Sequence, residues 1–317
     1  MMHRTSQKCR HRADLTASPR LCLLRSDSMY NVALIGCGRW GLNHLQVLLQ
    51  QVDLSIANVY VVDSKAKSNP TIENVFDHDE IDHVLDLVDI AVIATPNEMH
   101  VSQAIKCLTR GVHILIEKPL ATTMAELESF LQHLSNSTSM VHIGYLLNSH
   151  PAIVSAAQHL EHETIQRFEF IRRTTRAKPE HANALDSFHV HALALCFHLG
   201  LDVNTDGITF ETEGEVHILH MKSKNGGEIT IRAGWNALEE QRTVNILTEQ
   251  RHVEIDFGNP GMLLLNGVLQ PIETNSALLA QWQQFLEKIH ENKPLNPHTI
   301  LQYQQAYDGI LNIVANL

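Results

Sequence analysis

A chain of 317 residues with 44% apolar side chains holds material for about two globular domains, and no apolar run approaches the roughly 18 residues of a membrane span. The formal net charge of −11 argues against nucleic acid held on a basic surface. Five cysteines (Cys9, Cys22, Cys37, Cys107, Cys196) are scattered without a C-x-x-C pair, which points to reduced thiols in a cytoplasmic protein rather than disulfides or a zinc framework.

Residues 1–28 differ in composition from the rest of the chain. Six Lys/Arg stand there against Asp14 and Asp27, and no long apolar core is present, which excludes a secretory signal. An organelle presequence has this composition; a disordered or non-native extension ahead of a fold that starts at Met29 explains it more simply and is the expectation.

Tyr30–Gly41 reads YNVALIGCGRWG. The apolar run Val32–Ile35 predicts a buried strand, three glycines predict a tight turn, and Leu42, Leu45, Leu48 and Leu49 follow at helical spacing. Strand, turn and helix are the context in which G-x-G-x-x-G counts as a dinucleotide-binding motif. Gly36 would permit the turn, Gly38 would let backbone approach a pyrophosphate, and Gly41 would let helix and strand pack closely. Cys37, Arg39 and Trp40 complete the loop, and the helix N-terminus offers N–H groups to phosphate.

A second strand, Ala57–Val62, ends at Asp63, placed to hydrogen-bond the adenosine ribose. A carboxylate there repels a 2′-phosphate and favours NAD over NADP, although Lys65 and Lys67 leave NADP open. A weak strand is expected near residues 72–76, and a clear buried one at Ile90–Ala94. Asn97 is the expected N-cap of a helix over 98–109 that Gly111 terminates. Val112–Ile116 forms the next strand, stopping at Glu117-Lys118-Pro119. A helix at Met124–Ser135 and a strand at Met140–Gly144 complete a doubly wound parallel sheet of Rossmann type. Gly36, Asp63, Thr95 and Lys118 all fall at carboxyl ends of strands, where open α/β sheets gather their ligands.

GCGRWG, then ATPNEMH at Ala94–His100, then EKPL at Glu117–Leu120, resemble the glucose–fructose oxidoreductase, inositol dehydrogenase and rhizopine-catabolism (Gfo/Idh/MocA) family, and the resemblance runs from Met29 to Leu317. It implies a cofactor site lined by Thr95, Pro96, Asn97, His100, Glu117, Lys118 and Pro119. Lys118 would reach both nicotinamide and substrate hydroxyl, and the Lys118–Pro119 bond would be cis. The family also implies a small-molecule substrate, typically a carbohydrate, no metal, and homo-oligomers formed through an open sheet.

From 146 to 317 the pattern changes. Helices are expected at Pro151–Glu161 and Ser187–Leu199, and strands at Thr164–Thr175, Glu215–Met221, Glu228–Ala233, Thr243–Leu247, His252–Phe257 and Met262–Leu265. Turns fall at Gly226-Gly227 and Gly258–Gly261, and two helices, Ser276–His290 and Pro297–Asn316, close the chain. This is an α+β domain with a mostly antiparallel open sheet, for substrate and oligomer contacts, following a dinucleotide-binding domain at 29–145. The closing helices are candidates to pack back on the first domain.

Oxidation of a hydroxyl also needs a group to take its proton, and histidine suits that role. The family supplies it from a helix with aspartate one turn before histidine. Here the segment is Asp186-Ser187-Phe188-His189-Val190-His191. Counting from Asp186 puts Val190 in the histidine position. Regular helical spacing then offers Ser187–His191 or Asp186–His189 as pairs, with His191 the first candidate and His189 the second. The 21 histidines show no H-E-x-x-H spacing, and no metal is expected. Arg172, Arg173 and Arg176 could hold an anionic substrate group or simply be a solvated strand end. The function expected is an NAD(P)-dependent oxidoreductase of sugar or polyol hydroxyls. Its rivals are a non-catalytic NAD(P)-binding regulator on the same fold and a reductase of a non-sugar substrate.

Overall fold

The computed structural model describes residues 29–50, 54–64, 73–180, 182–257 and 261–315. The basic segment 1–28, Lys65, Lys67 and the turn at 258–260 lie outside them.

Six parallel strands build the first sheet: β1 (Tyr30–Ile35), β2 (Ile56–Val62), β3 (Val75–His78), β4 (Ile90–Ile93), β5 (His113–Glu117) and β6 (Val141–Gly144). Their order is β3-β2-β1-β4-β5-β6. Val32 to Leu34 of β1 and all four residues of β4 are wholly inaccessible, as strands covered on both faces must be. The order reverses beside β1, whose two neighbours are β2 and β4. That reversal opens a crevice at the strands' carboxyl ends. Helices α1 (Arg39–Gln50), α2 (His100–Thr109) and α3 (Met124–Ser135) make the crossovers.

Local chemistry explains the boundaries. Thr123 and Glu126 form a reciprocal capping box that starts α3. Asn97, by contrast, does not cap α2. Met99 N–H donates to the Pro96 carbonyl at 2.9 Å, so Asn97–Met99 tightens into a 3₁₀ turn and the α-helix begins at His100.

The second sheet has eight strands: β7 (Arg167–Arg173), β8 (Val203–Glu213), β9 (Val216–Ser223), β10 (Glu228–Gly234), β11 (Gln241–Leu247), β12 (His252–Asp256), β13 (Met262–Leu265) and β14 (Val268–Leu269). They lie in the order β14-β13-β12-β11-β7-β10-β9-β8. Every pairing is antiparallel except β7 with β10. The edge strand β8 escapes sequence reading because VNTDGITFETE has little apolar alternation, and its register shifts between Asn204 and Thr209 around Gly207, at φ +76°. Phe168 and Phe170 of β7 face helices α4 (Pro151–His159) and α5 (Val190–His198) in one core.

The last two helices belong to both halves. Trp282, Phe285 and Leu286 of α6 (Ala277–Glu291) pack with Val32, Leu34 and Val59 of the parallel sheet. In α7 (Pro297–Ala315), Ile300 joins the other core of that sheet, while Tyr303, Ala306, Tyr307 and Ile310 join the core of the eight-stranded one. Among the described residues no helix is long and apolar enough to cross a membrane.

Candidate active site

The glycine turn has the stereochemistry that its three residues allow. Gly36 sits at φ +89°, and a Cβ there would lie 2.7 Å from the Ala94 carbonyl oxygen; one on Gly41 would lie 2.0 Å from the oxygen of Gly36. Gly38 is different: nothing lies within 4 Å of where its Cβ would be. The turn is therefore closed around two glycines and open above the third, the shape a pyrophosphate needs. Leu42 N–H closes the first bond of α1 on the Gly38 carbonyl, so the amides of Arg39, Trp40 and Gly41 precede the helical ladder. Asp63 follows β2, and its carboxylate accepts from Cys37 N–H at 2.8 Å. Burial, with Asp63 and Asp77 nearby, raises the Cys37 thiol pKa and keeps it protonated. These residues fit a dinucleotide.

Two further loops meet beside it. The ring of His100 is buried, with Nδ1 2.7 Å from the Pro119 carbonyl oxygen and Nε2 2.9 Å from that of Thr95. His100 thus ties the Thr95-Pro96-Asn97 loop to Pro119 and does not present its ring to a ligand. Thr95 Oγ1 donates to Gln103 at 2.6 Å, and the Lys118–Pro119 bond is cis. Behind the loop, His44 is fully buried; its Nδ1 accepts from Trp282 Nε1–H at 3.2 Å, which leaves Nε2–H to donate to Glu117 at 3.0 Å. His44 and Trp282 escaped sequence reading. The signal was present: His44 falls in the Gly41, His44, Leu45, Leu48 stripe that α1 buries.

Lys118 Nζ donates to the main-chain carbonyl of Asp186 at 2.9 Å. Burial lowers its pKa, with Glu117 and Asp186 opposing. The Asp186 carboxylate accepts from the Tyr307 hydroxyl. Here regular helical counting misleads. Leu185–His189 is a π-helix, in which Val190 N–H bonds back to the Leu185 carbonyl. The wider turn absorbs one residue, so the interval from Asp186 to His191, five residues, spans this turn and regular four-residue counting does not apply to it. His191 borders both Lys118 and Arg172; burial first, then those two cations, push its pKa down to about 3, and its Nδ1 has no partner among the described residues. Tyr303, one turn before Tyr307 in α7, donates to the Val190 carbonyl at 3.3 Å, so two tyrosines hold the widened turn at both ends.

His189 is not brought to Lys118. It is fully buried, Nδ1 lies 2.9 Å from the Ala184 carbonyl, and its ring faces His217 at 5.9 Å. The arginines also divide. Arg172 follows Phe168 and Phe170 onto the helix-covered face, whereas Arg173 points to the other face and bonds Gln241 at 2.5 Å. Arg176 is exposed. Among the described residues no group of three or more His, Cys, Asp or Glu is arranged to hold a metal.

Residues 30–145 match the model of an oxidoreductase family with an NAD-binding Rossmann fold, the Gfo/Idh/MocA family. The domain formed by those residues belongs to it. Among proteins of known name that resemble the chain, 4-carboxy-2-hydroxymuconate-6-semialdehyde dehydrogenase of Sphingobium is 24% identical over 65% of this chain and 72% of its own. UDP-N-acetylglucosamine 3-dehydrogenase of Acidithiobacillus ferrooxidans is 24% identical over 68% of this chain and 74% of its own. The crystal structure of the latter superposes with a TM-score of 0.77 at 20% identity, covering 88% and 95% of the two chains. A levoglucosan dehydrogenase complexed with NADH and levoglucosan gives 0.75 at 15% identity, over 91% and 98%. Both domains therefore share the fold of these dehydrogenases, and residues 30–145 carry the NAD-binding Rossmann domain of an oxidoreductase family.

Proposed function

We propose that this protein transfers a hydride between NAD and the hydroxyl-bearing carbon of a sugar, polyol or sugar derivative, with Lys118 and His191 serving the oxygen. The observation that carries this reading is the 2.9 Å bond by which Lys118, at the carboxyl end of β5, reaches the Asp186 carbonyl of the second domain, with His191 near enough to Lys118 to feel its charge. Relatives named for UDP-N-acetylglucosamine and levoglucosan support the carbohydrate class.

A nicotinamide cofactor held by Gly36–Gly41, Asp63 and the Thr95–Asn97 loop supplies the two-electron chemistry. The chain's own work is at the proton. Lys118 spends one N–H on Asp186 and keeps two to hold a substrate oxygen and stabilise its developing negative charge. His191, neutral near pH 7 because burial and two cations disfavour its charged form, accepts the hydroxyl proton and returns it to a ketone oxygen in reverse. Asp186, fixed by Tyr307, positions Lys118 through its main-chain carbonyl. The Asp63 carboxylate favours NAD over NADP by repelling a 2′-phosphate. The sheet face that carries the Arg232–Glu169 pair, turned away from α4 and α5, is the surface we assign to self-association. Light scattering should give a multiple of 35.7 kDa.

The central test is a titration with NADH and NADPH followed by turnover on a panel of sugars, polyols and sugar nucleotides. Micromolar NADH affinity, turnover of at least one member, and loss of turnover in Lys118→Ala with NADH binding retained are expected. Tight NADH binding with no turnover would make the protein a regulator on an enzyme's fold. Unchanged activity in Lys118→Ala would remove the lysine from the chemistry.

A further inference from the structure

Arg172 and Arg242 lie directly opposite each other on neighbouring strands β7 and β11. Like charges in that position repel, and strands ordinarily avoid them. Both side chains lie on the helix-covered face, because Phe168 and Phe170 precede Arg172 in alternation and Val244 and Ile246 follow Arg242, all four in one core. Across from Arg172 on its other side is Ala233 of β10, which takes up little of the space above the pair. Arg172 is half-buried, and no hydrogen bond or ion pair ties its guanidinium to any described residue. The Arg242 guanidinium pairs with the Glu240 carboxylate at 3.4 Å. The other oxygen of Glu240 is taken by the Thr174 hydroxyl at 2.5 Å and Thr175 N–H at 3.0 Å. Glu240 is thus the carboxylate that acts on both guanidinium groups, at a long distance from Arg242, and Arg172 is close enough to His191 to act on its charge.

We propose that Arg172 and Arg242 form an anion subsite for the substrate, on the same side as His191, which selects carbohydrates that carry a carboxylate or phosphate. The assignment rests on Lys118 and His191 marking the reacting end. Planar guanidinium groups bind such oxyanions through paired N–H bonds. The arrangement also couples recognition to chemistry. An anion on Arg172 cancels one of the cations that depress the proton affinity of His191, so the histidine becomes a better base when the right substrate arrives.

Binding and not turnover is the cleaner readout, since it separates this proposal from the hydride-transfer reading. The NADH-saturated full-length protein would be titrated calorimetrically with glucose, glucuronate, glucose 1-phosphate and UDP. At least one anion should bind ten times more tightly than glucose, and which one does so distinguishes carboxylate, monophosphate and diphosphate recognition. Arg172→Gln and Arg242→Gln should each remove that advantage, Arg172→Lys should keep part of it, and Arg173→Gln, altered on the opposite face, should leave it intact. Equal affinity for glucose and all three anions, or anion binding that survives both glutamine variants, would overturn the subsite.

Discussion

Between Asp186 and His191 the Val190 N–H reaches back to the Leu185 carbonyl, a π-turn that stretches a one-turn interval to five residues, and we read the two as a pair. The pairing predicts that His191→Asn lowers turnover by about 10² to 10⁴, the range for loss of a general acid or base. His189→Asn should leave turnover within about threefold of the parent. Deleting Ser187 would return aspartate and histidine to a four-residue interval on a regular helix, and that variant should stay far more active than His191→Asn. Equal losses in His189→Asn and His191→Asn would refute the pairing.

The glycines should separate cleanly by phenotype. Gly38→Ala meets open space, so its melting temperature should match the parent while NADH Kd rises tenfold or more. Gly36→Ala combines a backbone at φ +89° with a 2.7 Å approach to a carbonyl and should cost more than about 2 kcal/mol of stability. If Gly38→Ala bound NADH normally, the open space would not be the phosphate seat.

Replacing His44 should damage both stability and rate. His44→Leu leaves the Trp282 indole N–H and a Glu117 oxygen unpaired in the interior, a loss of about 3 kcal/mol. It also frees the residue next to Lys118, so kcat should fall while NADH Kd holds. His44→Gln keeps a donor toward Glu117 and should recover part of kcat. A variant with parental kcat and low stability alone would make this contact purely structural.

Acid should destabilise the fold well above the usual carboxylate range. Burial pushes His142 down to about 3 and His189 to about 4, with Lys288 adding to the first and His217 to the second. The unfolded chain takes up these protons below about pH 6.5 and the native one does not, so stability is complete above 6.5 and falls as pH drops toward 4. At pH 5 each such histidine should cost roughly 2 kcal/mol. In His189→Asn, the slope of unfolding free energy against pH between 6 and 5 should shrink by about one proton. A parent stability flat from pH 7 to 5 would contradict the burial of these rings.

Much of the architecture is legible in the sequence where one physical rule dominates. Apolar runs such as Ile90–Ile93 cannot be exposed on either side, and Thr123 with Glu126 mark a helix start as plainly in sequence as in space. The cofactor turn is equally readable because glycine is the only solution at Gly36 and Gly41. Three features are not. The edge strand β8 hides because it has solvent on much of its length and no apolar alternation. The Asp186–His191 pair hides because every periodicity argument assumes 3.6 residues per turn, and a single wide turn breaks the count. Arg242 carries no signal of its own because its meaning depends on Arg172, far earlier in the chain, and only strand pairing brings the two together.

The shared helices α6 and α7 bear on how the molecule can move. Trp282 and Ile300 are rooted in the parallel sheet while Tyr303 and Tyr307 are rooted in the core of the other. Because α7 carries anchors in both cores, Ile300 in one and Tyr303 in the other, any swing of the two sheets about the cleft has to bend or shift that helix. The width of the slot is tied to the straightness of a single rod.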